Sequence, residues 1–365
     1  MSIRILHIVS SLSTGAGVMA TIMNMYRKID KLKVQFDFLY FYEYTEKETY
    51  KEEIIKNGGT LYKVIKPTVL NISKFNRELS KLLYENEYKA IHLHEVYLNL
   101  IVGPIARENN VKNIIAHSHT TMYSDNKLKA IRNKILCMPL KKQANVYFAC
   151  SNAAAKFLYG DNSKVYIMNN AIDCNKFRFN KILRREIRNN LNLNDKFVVG
   201  HIGRFTEQKN HSFLIDIFLE IKKIKENSVL ILIGNGELKD KIKEKVSKLS
   251  LENDVKFLNN RKDVHELLQG IDIFLLPSLY EGLPVSGVEA QGAALPCVVS
   301  NEVTEELNLG NCKYISLNEN AKVWAKEVVD FGEGYIRKDN FKEITKKGYN
   351  IDNEVKKLEE FYINL

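Results

Sequence analysis

Short apolar runs alternate with longer amphipathic stretches along almost the whole chain. The segments 3–11, 34–41, 60–65, 90–94, 113–119, 146–150 and 164–169 are rich in Val, Ile, Phe and Tyr and read as strands. Between them, stretches such as 18–29 and 72–85 repeat apolar residues at helical spacing. Around 173–195 the pattern gives way to a polar, basic, helix-poor segment, read as a linker. It then restarts, with strands predicted at 196–203, 228–234, 254–259, 271–278 and 295–300. Strands spaced by helices imply parallel, doubly wound sheets. The expected fold class is therefore α/β with two Rossmann-like domains, 1–172 and 196–338, facing each other across a cleft. A charged C-terminal helix, 339–365, is expected to cross back to the N-terminal domain.

Length supports two domains: 365 residues suit two units of roughly 150–200. Hydrophobic residues make up 45%, ample for two cores. Five cysteines without a C-x-x-C pair supply neither a disulfide framework nor a zinc site, and they fit a reducing cytosol. No apolar stretch approaches the ~18 residues of a membrane span, and the first apolar run is too short for a signal-peptide core. A cytoplasmic protein is expected. The net charge of +10 leaves nucleic acid, an anionic membrane or a phosphorylated substrate open as partners. Nucleic acid loses ground because no aromatic-basic motif supports it.

Ligands of open α/β sheets bind where strands end and helices begin, and the informative motifs sit at those turns. After the first strand, SLSTGAG offers Gly15 and Gly17 ahead of a helix start, though without the third glycine of a dinucleotide fingerprint. The second series opens with GHIGRFTEQKNH, which puts Arg204 and Lys209 just past a strand end. A guanidinium and an ammonium there can neutralise a diphosphate. In NRKDVHELL, Asp263 is a candidate helix cap. In YEGLPVSGVEAQ, Glu281 projects from a turn and Pro284 suits the first turn of a helix. The amides of Val285, Ser286 and Gly287 are read as unpaired donors for an anion, with Glu289 farther along. Carboxylates beside a phosphate site make sense when they point past it to hydroxyls, and a nucleotide sugar presents hydroxyls on both sides of its diphosphate.

Gly203-Arg204 with Lys209, Glu281-Gly282-Leu283-Pro284 and Glu289-Ala290, with Glu281 and Glu289 spaced E-x7-E, resemble the signature of retaining glycosyltransferases of family 4, which have the GT-B fold. The resemblance covers nearly the whole chain, and the stretches 23–39, 114–121 and 273–301 are most similar to bacterial capsule and exopolysaccharide transferases of the EpsF type. It implies that Glu281 holds donor-sugar hydroxyls and Glu289 the ribose, while Arg204 and Lys209 clamp the diphosphate. Gly282, Leu283, Pro284, Val285 and Ser286 would complete that donor site, with Arg261 and Val264 near the base. His119 would be the family's histidine near the sugar, with His117 its neighbour. The Gly15–Gly17 turn would close on the diphosphate, although relatives often carry adjacent glycines where Ala16 intervenes here.

The reading is a metal-independent enzyme of the hexosyltransferase class, without cofactor. It would move a sugar, with retention, from a nucleotide diphosphate donor, by resemblance a UDP-sugar, to a saccharide or lipid-linked saccharide. The place of that reaction would be cell-surface polysaccharide synthesis. A sugar-nucleotide epimerase of the same fold and a non-catalytic partner subunit are the alternatives. The first needs no acceptor, and the second usually lacks one of the charged positions that are all present here. Asn126 to Lys142 carries six basic residues and no acidic one, with Leu128, Ile131 and Ile135 at helical spacing. It is either a core-packing helix or one that lies peripherally on an anionic membrane surface.

Overall fold

The computed structural model describes residues 2–43, 49–124, 126–161 and 164–365. It divides into two compact units, residues 1–169 with 351–365, and residues 170–350.

The first unit is built on β1 (Ile3–Ser11), β2 (Val34–Tyr42), β3 (Leu61–Lys63), β4 (Ala90–Leu93), β5 (Asn113–Ser118), β6 (Val146–Ala149) and β7 (Tyr166–Ile167). All pairings are parallel, in the order β3-β2-β1-β4-β5-β6-β7. The helix Gly17–Lys28 packs beside the C-terminal helix Ile351–Ile363, which also touches β2. The expected C-terminal helix is thus two: Phe341–Lys346 stays with the second unit, and only Ile351–Ile363 joins the first.

The second unit holds β8 (Phe197–Ile202), β9 (Ser228–Ile233), β10 (Val255–Leu258), β11 (Ile273–Leu276), β12 (Cys297–Ser300) and β13 (Cys312–Ile315), again all parallel. Its order, β10-β9-β8-β11-β12-β13, reverses direction beside β8, as in the dinucleotide-binding folds. The core gathers Val199, Leu230, Leu232, Ile273, Leu275 and Val298 from the sheet with Phe218, Trp324 and Val328 from the helices.

The segment read as a helix-poor linker contains the helices Cys174–Phe177 and Lys181–Asn190. Asn180 caps the second, its side chain accepting from the amides of Ile182 and Leu183 at 2.9 and 3.1 Å. The positive charge that made the segment look like a solvated tether is spent on structure. Arg184 donates to the carbonyls of Gln269 and Ile271 at 3.0 and 2.9 Å and is paired with Asp272. Arg188 donates to the Gly270 carbonyl at 2.9 Å and to Asp272 at 3.1 Å. Guanidinium forks satisfy the last carbonyls of a helix that has no partner for them.

Candidate active site

Because β8 and β11 are parallel neighbours, the turns that follow them leave the same edge of the sheet side by side. Lys209 Nζ therefore reaches Glu281 Oε1 at 2.5 Å, with both side chains mostly buried. Gln208 seals the pair: its amide donates to Glu281 Oε2 at 3.3 Å and to the Tyr280 carbonyl at 3.0 Å, while its own carbonyl accepts from the Leu279 amide at 2.8 Å. Asn210 ends the short turn in a left-handed conformation, φ 52°, that asparagine tolerates well, and the helix His211–Ile224 starts there.

Two glycines in the turn after β9, Gly234 and Gly236, hold this loop down. A Cβ on Gly234 would lie 2.1 Å from the Gly203 carbonyl oxygen, and one on Gly236 2.5 Å from that of Phe205. Backbone packs on backbone there, so Arg204 to Lys209 is seated on the next loop of the sheet. Arg204 is exposed and donates to Glu237 at 3.1 Å.

The helix Val285–Gly292 follows Pro284. The amides of Gly287 and Val288 close its first turn on the Pro284 carbonyl at 3.1 and 3.3 Å. The expectation of three unpaired donors is thus corrected for Gly287. Val285 and Ser286 have no hydrogen-bond acceptor for their amides among the described residues. The turn before the helix is held by Asn170, whose buried side chain donates to the Leu283 carbonyl at 2.7 Å. Nothing in the spacing of the motif signals Asn170, because it lies more than a hundred residues away in sequence.

Glu289 is partly buried on this helix. Burial raises its carboxyl to about 8, and the charge of Lys176 opposes the shift. Lys176 sits in the stretch read as linker, so sequence spacing did not place it near the site. Val264 opens the helix Val264–Gly270, but Asp263 does not cap it. Its carboxylate takes Arg261 instead, Nε to Oδ1 at 2.7 Å with a second contact through Nη2. Local pairing outcompetes the cap because the guanidinium is charged and the amide is not.

In the first unit, Gly15 and Gly17 are exposed and neither has a left-handed φ. Gly17 begins its helix, and a Cβ there would meet nothing within 4 Å. Smallness, not conformational freedom, is what these positions offer. His119 is far from a lone histidine. It lies just past β5, with its Nε2 2.7 Å from Nδ1 of His94, and His117 stacks on it at 3.9 Å between centroids. Burial lowers His119 to about 3 and keeps His92, His94 and His117 well below the ordinary range. These imidazoles are neutral at pH 7.

Two Rossmann-like parallel sheets, with the candidate side chains at the carboxyl ends of their strands, are the architecture of the GT-B class. Residues 184–348 match the family described as glycosyl transferases group 1, and residues 15–176 match glycosyltransferase family 4. The chain is 34% identical to EpsF of Bacillus subtilis (strain 168), named as a glycosyltransferase, over 340 residues that cover 89% of this chain and 86% of that one. It is 26% identical over 308 residues to an Escherichia coli UDP-Gal:alpha-D-GlcNAc-diphosphoundecaprenol alpha-1,3-galactosyltransferase, covering 79% and 78% of the two chains. The fold is similar to that of Anabaena HepE, solved with UDP and glucose, with a TM-score of 0.82, 18% identity and full coverage of both chains. The protein belongs to the family 4 glycosyltransferases and is an enzyme of that class.

Proposed function

We propose that the protein transfers a hexose, with retention, from a UDP-sugar to a lipid-linked saccharide in cell-surface polysaccharide synthesis. The carrying observation is the buried Lys209–Glu281 pair just ahead of the helix Val285–Gly292. An ammonium fixed by a carboxylate that the Gln208 amide holds in turn is preorganised for the charge that develops on a departing diphosphate. Arg204, exposed on the same loop, adds a second cation, and the amides of Val285 and Ser286 add donors.

In this reading the bond from the anomeric carbon to the diphosphate oxygen breaks through an oxocarbenium-like state. The acceptor oxygen bonds to the same face, and its proton passes to the leaving phosphate oxygen. No side chain is required as base. Glu281 holds sugar hydroxyls as well as Lys209, Glu289 takes the ribose, Arg261 and Val264 lie by the base, and His119 contacts the sugar. The relative that acts on a diphosphoundecaprenol-linked sugar and the neighbour solved with UDP favour the donor and acceptor classes named.

The helix Lys127–Cys137 supports a membrane-borne acceptor. Leu128, Ile131, Ile135 and Met138 are 79%, 60%, 58% and 78% exposed, whereas Asn133 and Cys137 are buried. The core-packing alternative required that apolar stripe to be covered, and it faces solvent. Lys127, Lys129, Arg132 and Lys134 are exposed on the same helix. An apolar stripe flanked by cations suits an anionic bilayer surface. No helix among the described residues is long and apolar enough to cross a membrane, so this surface would be the point of contact.

The test is a screen of nucleotide sugars with and without a polyprenyl-diphosphate saccharide. UDP-sugars should stabilise the protein against heat, and product should form only with acceptor present. Acceptor-free interconversion of sugars, or indifference to every nucleoside diphosphate, would overturn the reading.

A further inference from the structure

Five of the eight histidines in the chain fall on one face of the first sheet. The strand register explains how. His7 of β1 pairs with His92 of β4, and His92 pairs with Ile115 of β5. Side chains alternate along a strand, so His94, His117 and His119, at even spacing from those partners, share that face. The H-x-H pairs His92-Leu93-His94 and His117-Ser118-His119 are thus brought together on adjacent strands.

One ring nitrogen from each of His94, His117 and His119 lies within 4.8 Å of one from each of the others. The opposite nitrogens of His94 and His117 are already held. His117 Nδ1 is 2.9 Å from His92 Nε2, His92 Nδ1 is 2.6 Å from the Tyr362 hydroxyl, and His94 Nε2 is 3.0 Å from His7 Nδ1. With His117 donating through Nδ1, its Nε2 presents a lone pair. That atom is fully buried and has no hydrogen-bond partner among the described residues. His117 thus has one nitrogen free and the other fixed by a hydrogen bond, which is how metal-ligating histidines are held. The neighbouring triad His7, His92 and His94 meets the same distance, but both nitrogens of His92 are engaged with groups outside it, Tyr362 and His117, whereas His94 Nδ1 is engaged only with its fellow ligand His119. His94 and His119 are partly exposed, which gives an ion a way in.

We propose that His94, His117 and His119 bind one divalent transition metal of the kind that prefers imidazole, zinc foremost, leaving a fourth position open. Ligand bonds of about 2.0–2.1 Å put tetrahedral nitrogens about 3.3 Å apart. The 2.7 Å between His94 Nδ1 and His119 Nε2 therefore opens by about half an ångström on binding. The proton between those two atoms moves to His119 Nδ1, so both present lone pairs and no oxidant or reductant is involved.

The experiment titrates cobalt(II) and zinc into the tag-free, metal-stripped full chain. Visible absorption is followed for cobalt and heat for zinc. One equivalent should bind with the absorption of a nitrogen-ligated, four-coordinate cobalt. His119→Ala, at a partly exposed position, should weaken binding by more than about 100-fold, and His92→Gln by about 10- to 100-fold, the usual cost of an outer partner. His265→Ala, in the other unit, should change nothing. Absence of a stoichiometric cobalt spectrum in the parent protein, unchanged affinity in His119→Ala, or equal loss in His265→Ala would each overturn the site.

Discussion

In the second unit the side chains beyond β8, β9, β10 and β11 are charged and answer one another, Lys209 with Glu281, Arg204 with Glu237 and Arg261 with Asp263. Beyond β4 and β5 of the first unit, the side chains are imidazoles, neutral and stacked at 3.9 to 5.3 Å. Both sheets are parallel and reverse direction beside their first strand. The same topology therefore supports two kinds of edge. One pairs opposite charges at the ends of its strands, and the other removes charge from a crowded face. Topology decides where ligands go, and residue type decides which ones.

That contrast can be broken most strongly at the membrane. The exposed basic and apolar stripe at Lys127–Cys137 belongs to the first unit alone. Replacing Lys127, Lys129, Arg132 and Lys134 with glutamine removes four cations, at about 1 kcal/mol each near an anionic surface. Cosedimentation with anionic vesicles should fall about a thousandfold in affinity while UDP binding is spared. Neutral vesicles should not bind, and salt should weaken binding. Undiminished binding by the variant would move the membrane contact elsewhere.

A smaller effect sharpens the charged edge. Arg204→Ala or Lys209→Ala should weaken UDP by about 10- to 150-fold, the worth of one charged hydrogen bond, and leave uridine nearly unchanged. Calorimetry with both ligands decides it, and equal weakening of the two would point to a damaged fold.

The smallest effect is in stability against pH. His7, His92, His94, His117 and His119 are held below their ordinary value, so the unfolded chain binds more protons beneath about 6.5. Their contribution is present above that pH and is lost as pH falls, at up to about 1.4 kcal/mol per pH unit for each histidine. Glu289 has the opposite sign. Its folded value is raised to about 8, so it favours folding at low pH and that contribution declines as pH climbs toward 8. Hydrogen exchange between pH 6.5 and 4.5 should show strands of the first unit opening before those of the second. The reverse order would show that the imidazoles do not govern it.

Much of this was legible in the residues. Apolar spacing marked twelve of the thirteen strands, and the strand-end turns singled out Lys209 and Glu281, which the structure pairs. β13 escaped because only Ile315 of its four residues is buried, so Cys312–Ile315 carries no clear alternation. The helix Lys181–Asn190 escaped because its arginines looked solvated, yet they close the end of another helix. The histidine face was beyond reach for a different reason. His7, His92 and His117 are far apart in sequence and meet only through strand register, which local composition does not encode. Asn170, holding the turn at Leu283 from over a hundred residues away, was hidden for the same reason.

The account rests on Glu281 acting on the sugar while Lys209 acts on the diphosphate. Glu281→Gln keeps the shape and the contact with Gln208 but removes the carboxylate, so UDP affinity and sugar transfer should be measured on the same preparation. Transfer is expected to fall by about 100-fold or more, with the UDP dissociation constant within about threefold of the parent. A variant that loses UDP yet still transfers sugar would contradict the account.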